Sequence, residues 1–525
     1  MATDSIHKSL PVYSYDGLPT EDEFERRDFA KRVANTILDQ PLGPCMVVSI
    51  VGPWGSGKTT VLEYVKAEIA SRTKAEKTCF VAPFNPWRFA GEDLLLYQLF
   101  ESLVTAIDPN LEILTEWQQL REKVSKVSAT MTKTISAVAD FKYPGSGGIL
   151  SGVLSAILPG EFKAKLEDIR IQTADHLARA KLRVVVLLDD VDRLEVDDLL
   201  LLLRSVKLTA DLPNTTFVIA MDEEHVSRVI GQRIDRSQKT GRAYIEKIIN
   251  VRIGLPAIPD HVLSDYTLGL VDGVIKREEG FLTSNDVSRV RAIFLKLHAP
   301  FVRTPRTAKA IQNACSFALG LLPKEVNAGD VFLLEATRLL HPLLHETIKD
   351  VVPLFKVGSL ERMLERHDYK SDEAEKRRKN GWERLLKSFK HIDSQLEDCR
   401  RALKLWFPQL DDNVSSELNL EAWASAKRIC SPDYFWRYFS GAVQKNDVRD
   451  EIVSLWVSSA LADNSEIVGT LVEHLKKSYG RAFLAKMETA CASKDTNYEK
   501  VLFALCKASG QLETTDADNL RGSIR

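Results

Sequence analysis

Nine residues, Val51 to Thr59, constrain this chain more than any other stretch. They read Val-Gly-Pro-Trp-Gly-Ser-Gly-Lys-Thr, and Gly52, Gly57, Lys58 and Thr59 satisfy the pattern G-x-x-x-x-G-K-[ST]. The run Met46 to Val51 before it is short, apolar and rich in Val and Ile, the composition of a buried parallel strand. After it, from Thr60 to Ala70, Val61, Leu62, Val65 and Ile69 recur at helical spacing. Strand, glycine loop and helix in this order aim backbone N–H groups and a helix N-terminus at one point, which makes an anion site. Gly52, Gly55 and Gly57 can take backbone angles closed to other residues. In such a loop Lys58 reaches the β- and γ-phosphates of a nucleotide, and the Thr59 hydroxyl holds Mg2+. Trp54, Ser56 and Thr60 complete the expected nucleotide-contacting set.

A phosphate loop binds nucleotide but does not by itself hydrolyse it. Hydrolysis needs an acidic group for the metal and usually one for the attacking water. The apolar run Val184 to Leu188 is followed by Asp189-Asp190-Val191-Asp192-Arg193, and strand ends are where α/β sheets place ligands. Asp189 is assigned to the magnesium shell, through water, and Asp190 to polarising the nucleophilic water. The two cannot share one role unless the strand has already ended, because adjacent strand residues point to opposite sides. The competing use of an Asp-Asp pair is a helix N-cap with a spare charge. Arg193 has two readings of equal weight: a charge donor to the γ-phosphate of a neighbouring subunit, or an ion-pair partner of Asp192 or Asp189 that holds the turn. Asp222, at the end of the next strand, either senses the γ-phosphate or caps a helix.

Between and around these two motifs the pattern is that of an α/β domain with a mostly parallel sheet. A charged amphipathic helix is expected over Glu21–Leu38, with Phe24, Phe29, Ala30, Val33, Ala34 and Ile37 on one side. Strands are expected at 78–84 and 216–221, helices at about 93–107, 196–209 and 223–230, and a helix leading to an edge strand within 244–256. Trp87, in a Pro-flanked turn, reads as a core anchor. Residues 108–180 interrupt the rhythm with a glycine-rich centre, 143–148, and an apolar run, 149–158, about half the length of a membrane span. From about Asp260 helical periodicity dominates; the charged run 365–390 interleaves both signs and reads as a solvated helix face, and 511–525 as a frayed end.

At 525 residues the chain is long enough for more than one domain. A net charge of −2 makes no demand for nucleic acid or an anionic membrane. The seven cysteines form no C-x-x-C pair, which argues against a zinc site and a disulfide framework and for a reducing compartment. With no apolar signal core at the N-terminus and no run long enough to span a bilayer, a cytoplasmic location is expected.

Taken together the motifs resemble the KAP family of P-loop NTPases. The resemblance rests on Gly-Pro-Trp-Gly-Ser-Gly-Lys-Thr at 52–59, Phe-Asn-Pro-Trp at 84–87, Leu-Asp-Asp-Val-Asp-Arg-Leu at 188–194 and Tyr-Ile-Glu-Lys-Ile-Ile at 244–249. Thr304-Pro305-Arg306-Thr307-Ala308-Lys309 with Asn313, the run 339–344 and the aromatic run 434–439 look like further family landmarks, so that the likeness covers roughly residues 20–450. It implies an additional-strand P-loop ATPase core followed by an all-helical region, with ATP and Mg2+ as ligands. The implied domains are 1–320, carrying the insert at about 108–180, and 321–525. By the same resemblance Arg306 reports the γ-phosphate from the helical side. Some family members carry paired transmembrane helices in the insert; here its apolar length is too short, so the chain resembles soluble bacterial members, some of which belong to anti-phage defence systems such as the ATPase component of Qat-like systems.

The expected function is ATP hydrolysis, with Asp190, Lys58, Arg193 and Arg306 as catalytic residues, driving a conformational switch among the partner proteins of a defence complex. A homo-oligomer is compatible with the sequence, and nucleic acid enters only indirectly. Two other readings stay open: a nucleotide-gated scaffold with little turnover, and a regulator of a nucleic-acid-processing partner. The lack of an Asn-Lys-x-Asp motif favours ATP over GTP.

Overall fold

A computed structural model of the protein describes residues 22–73, 79–86, 92–107 and 160–277, then 282–355 apart from 323, 372–388, 396–411, 420–461 and 467–477, with scattered positions at 118–124 and 480–508. Trp87, the glycine-rich and apolar centre of the insert, and the end 511–525 lie outside the described residues. The chain divides into two compact units, with the division between Ile258 and Pro259.

The first unit is built on five strands: β1 (Met46–Val51), β2 (Cys79–Phe84), β3 (Arg183–Leu188), β4 (Thr215–Met221) and β5 (Val251–Gly254). Their spatial order is β2-β3-β4-β1-β5, and every pairing is parallel. Each residue of β3 and β4 is buried, which is why these strands read as unbroken apolar runs rather than alternating ones. Alternation survives as a choice of face. Ile50, Val185, Leu187, Val218 and Ala220 point to the side covered by α1 (Arg26–Asp39) and α2 (Lys58–Thr73). Val47, Val184, Val186, Leu188, Phe217, Ile219 and Met221 point to the other side, against α3 (Glu92–Ala106), α4 (Gly160–Ala180), α5 (Val196–Leu208), α6 (Glu223–Ile234) and α7 (Gln238–Glu246). Helices thus cover both faces, as parallel strands joined by helical crossovers require.

The topology places β4 between the phosphate-loop strand and the acidic strand. Leu188, the last residue of β3, lies opposite Ile219 of β4, and Ile219 lies opposite Ser49 of β1. The two motif-bearing strands therefore end close to the same level of one rim. The first helix starts later than expected, at Arg26 rather than Glu21. Glu25 stands in the left-handed region with φ 54°, and the Asp22 carboxylate accepts the N–H groups of Arg26 and Arg27, both at 2.8 Å, so the start is fixed by an acceptor upstream.

The helix pair that follows β4 is held unusually close. A Cβ added to Gly241 of α7 would lie 1.9 Å from the Ser227 carbonyl oxygen on α6, and one on Gly231 would lie 2.1 Å from that of Ser237. Backbone, not a flexible side chain, fills both places.

The second unit is helical. It comprises α8 (Asp260–Arg277), α9 (Ser284–Leu297), α10 (Pro305–Leu321), α11 (Ala328–Leu340), α12 (Pro342–Val351), α13 (Asp372–Lys387), α14 (Leu396–Trp406), α15 (Leu420–Ser425), α16 (Phe435–Ser440), α17 (Asp450–Leu461) and α18 (Ile467–Leu475). Two of its sequence landmarks are packing devices. In the run 434–439, Arg437 is 1% exposed, ion-paired to Glu325, Asp447 and Asp450, and donates to the Val448 carbonyl at 2.7 Å. In the run 339–344, His341 bonds the Leu297 carbonyl at 3.0 Å and meets the edge of Phe301 at 4.4 Å.

Substituting Gly241→Ala should force α7 away from α6 and destabilise the first unit by about 2 kcal/mol, as overpacking against immovable atoms does. The midpoint of its denaturant transition would show the loss; an unchanged midpoint would mean the pair is not as close as described.

Candidate functional site

The loop between β1 and α2 begins where Gly52 donates its N–H to the Met221 carbonyl of β4 at 3.3 Å. Gly52 is in a tight place: a Cβ there would sit 2.8 Å from Ser56 Oγ and 3.3 Å from Leu255 Cβ, so both side chains would have to give. Gly55 and Gly57 must be glycine for conformation, with φ of 81° and 96°. Inside the loop, the Ser56 N–H and hydroxyl both donate to the Pro53 carbonyl, at 3.2 and 2.7 Å. Trp54 is half exposed at the outer side of the turn, and Thr60 lies in the first turn of α2.

Lys58, the first residue of α2, is almost fully buried. Its ammonium donates to the Gly52 carbonyl at 2.9 Å and the Pro53 carbonyl at 3.3 Å, and it pairs with Asp192 Oδ2 at 3.1 Å. Thr59 turns its hydroxyl to the end of β3 and donates to Asp189 Oδ1 at 3.2 Å. The phosphate loop and the acidic strand thus meet through two side-chain contacts.

The acidic turn is built by the end of the strand. β3 stops at Leu188, and Asp190 takes a left-handed conformation with φ 56° before the 3-10 turn Val191–Arg193. That conformation separates the two adjacent carboxylates. Asp189 faces Thr59, while Asp190 is held from two sides: Arg193 Nε at 2.8 Å from Oδ1 and Asn85 Nδ2 at 2.9 Å from Oδ2. Arg193 therefore bonds Asp190, a partner not among those expected for it. The rotation at Asp190 carries this carboxylate back over the three-residue turn, within reach of the guanidinium. Asn85 stands just past the end of β2, in the run Phe-Asn-Pro-Trp, whose sequence predicts no role for it. Its signal was positional: a polar side chain directly after an edge strand on the ligand rim. Asp192 accepts the backbone N–H of Asp222 at 2.7 Å with its other oxygen. Asp222 caps α6, accepting the His225 N–H at 3.1 Å, so of its two expected readings the capping one is seen. Arg306 lies in the second unit, in the first turn of α10, whose N-cap is Thr304.

The electrostatics differ among the three carboxylates. Asp190 and Asp192 each have a cation. Asp189 has a hydroxyl and, among the described residues, no cation at salt-bridge distance. Burial pushes its carboxyl above the ordinary range, against the smaller opposing pull of hydrogen bonds from the Asp190 backbone and Thr59. A desolvated carboxylate beside a hydroxyl is an oxygen donor set suited to a hard divalent cation such as Mg2+. An open cleft of about 590 Å³ adjoins it, lined among others by Glu63, Pro83, Asn85 and Glu101.

A parallel sheet with a strand interposed between a glycine-loop strand and an acidic strand, and both motifs on one rim, defines a P-loop NTPase fold. The chain also matches the KAP family P-loop domain over residues 26–319, more than half of its 525 residues. It belongs to that family. It is 23% identical over 445 residues to the Phage T7 exclusion protein of Escherichia coli (strain K12), a match covering 80% of this chain and 58% of that protein's length. Among solved structures it is similar to the Aeropyrum pernix ORC2 protein in its ADP form, at 16% identity and a TM-score of 0.33 over 65% of this chain and 76% of that one. It is also similar to Cdc6p from Pyrobaculum aerophilum, at 13% identity and a TM-score of 0.33 over 74% and 88%. Likenesses this distant say nothing of this chain's ligand. Among the described residues no helix is long and apolar enough to cross a membrane.

Because the raised value means burial disfavours the charged form, Asp189 opposes folding at neutral pH, and the cost is relieved as pH falls through that value. Asp189→Asn, which keeps an oxygen for Thr59, should therefore leave the nucleotide-free protein at least as stable as wild type at pH 7. Thermal unfolding checks this, and a fall of several degrees would count against a carboxylate held there for a ligand.

Proposed function

We propose that this chain binds ATP with Mg2+ at the rim of the first unit, hydrolyses it, and passes its nucleotide state to partner proteins. What carries the reading is the contact of 3.2 Å between Thr59 Oγ1 and Asp189 Oδ1, which joins the phosphate loop to the acidic strand. Lys58 and the backbone N–H groups of Gly55 and of Gly57 to Thr60 hold the phosphates, with Gly52, Trp54 and Ser56 shaping the loop. Thr59 and Asp189 hold Mg2+, which when bound offsets charge on the phosphate oxygens. Asp190 orients the attacking water. Catalysis is then mostly positioning and electrostatics.

Arg193 and Arg306 are the proposed guanidinium contacts to the terminal phosphate, Arg306 from the helical side. The family match over 26–319 supports a family region ending near 320, as in the expected domains 1–320 and 321–525, although the compact units divide at Ile258 and Pro259, so helices 260–319 match the family yet pack in the second unit. Resemblance to a phage exclusion protein supports a role in anti-phage defence; the proposed setting is a cytoplasmic multi-protein assembly.

One observation favours a second reading, a nucleotide-gated module with little turnover. Each oxygen of Asp190 already accepts one hydrogen bond, from Arg193 and from Asn85, and the guanidinium offsets its charge, so it is a weaker base for a water. Steady-state phosphate release separates the two. Under the first reading the protein turns over ATP, Lys58→Ala weakens binding on the order of 100-fold, and Asp190→Ala still binds but loses turnover by about 100-fold or more. Absence of phosphate release from wild type, alone and with its partners, would leave the gated module. Full turnover by Asp190→Ala would remove the assignment of the base.

A further inference from the structure

The lysine that a phosphate loop offers to nucleotide is already saturated in this protein. Lys58 has three N–H groups and three acceptors: two loop carbonyls and Asp192 Oδ2. The Lys58 and Asp192 side chains are each only 10% exposed, so solvent screens the pair little. Asp192 is also pinned. It stands in the 3-10 turn Val191–Arg193, and its second oxygen accepts the Asp222 N–H at 2.7 Å. It cannot follow the ammonium if Lys58 turns towards another anion.

We infer that Asp192 is a positioning residue that occupies the terminal-phosphate place on Lys58 and competes with the incoming nucleotide for it. The inference rests on the nucleotide-binding reading above. An arriving phosphate must take the ammonium from a fixed carboxylate and approach that carboxylate's own charge. The competition therefore sets how tightly a nucleotide binds, and only for nucleotides with phosphates long enough to reach Lys58. In the nucleotide-free state the same carboxylate keeps a buried ammonium from standing alone, which would be strongly unfavourable.

The test is calorimetric titration of the full chain with ATP, ADP and AMP, each with and without Mg2+. Asp192→Asn removes the charge and keeps one oxygen for the Asp222 N–H, while its amide NH2 takes the place of the oxygen that Lys58 held; Asp192→Ser, which removes the charge and keeps a hydroxyl acceptor, is the second variant. The expected result is that Asp192→Asn binds ATP and ADP roughly ten-fold more tightly than wild type, the scale of one close charge pair at partial burial, with AMP unchanged. ATP should also raise its melting temperature more than it raises that of wild type. Equal or weaker ATP binding by the variant, or an equal change for AMP, would overturn the inference while wild-type binding and its loss in Lys58→Ala keep the nucleotide site. If wild type binds none of the three, the nucleotide reading falls and the inference with it.

Discussion

The site depends on where one strand is placed. β4 lies between β1 and β3, so the glycine loop and the acidic turn are separated by the width of a strand at a common rim. With a strand interposed, only side chains bridge the gap, and they do so at Thr59–Asp189 and Lys58–Asp192. The register of β3 on β4 and of β4 on β1 carries this placement, and a shift of one residue in either would turn every buried side chain of that strand to the wrong face.

Charge organises what the topology brings together. Two cations and three carboxylates lie close together, with Lys58 and Asp192 nearly buried and Arg193 reaching solvent. The cations are distributed so that Lys58 neutralises Asp192 and Arg193 neutralises Asp190, which leaves Asp189 as the desolvated carboxylate with a raised pKa. Buried charges are tolerable only when paired and hydrogen-bonded. Each pairing therefore stabilises the nucleotide-free rim, and each also holds a group that nucleotide chemistry would need in another place. Under the nucleotide-binding proposal, a site arranged in this way resists its own ligand. Removing one carboxylate charge does not simply weaken such a site, because the same charge both supports Lys58 and opposes the phosphates.

Much of the first unit is legible in the sequence for simple reasons. β3 and β4 are buried on both faces, so nothing in Val184–Leu188 or Thr216–Met221 interrupts the apolar run. The glycine loop is legible because Gly55 and Gly57 adopt angles that other residues rarely do. The charge pairings are not legible in this way. Asp189, Asp190 and Asp192 are three copies of one side chain within four residues, and which of them meets Thr59, Arg193 or Lys58 is decided by one left-handed residue, Asp190. Aspartate is among the residues that tolerate that conformation, but no local pattern announces it. Asn85 escaped notice for a different reason: its partner is 105 positions away, so only the fold makes them neighbours.

The second unit shows how recognisable residues can belong to packing rather than chemistry. The aromatic run 434–439 contains a buried arginine, and its guanidinium gathers Glu325, Asp447 and Asp450 around one point, with Lys486 joining two of those carboxylates. These pairs tie α16 and α17 to the loop before α11. Water would satisfy the same groups at the surface, and taking them out of it is costly, so the network brings little net stability by itself. What it supplies is direction: an apolar contact can slide, whereas a guanidinium with several fixed acceptors has one good position. A similar arrangement holds Asp330, fully buried on α11, between Arg289 of α9 at 2.6 Å and the Ile429 N–H at 3.0 Å. Helical units made only of amphipathic stripes tolerate several registers. Two buried ionic hubs, each joining segments distant in sequence, select one, which gives the arginine of the run 434–439 a packing role.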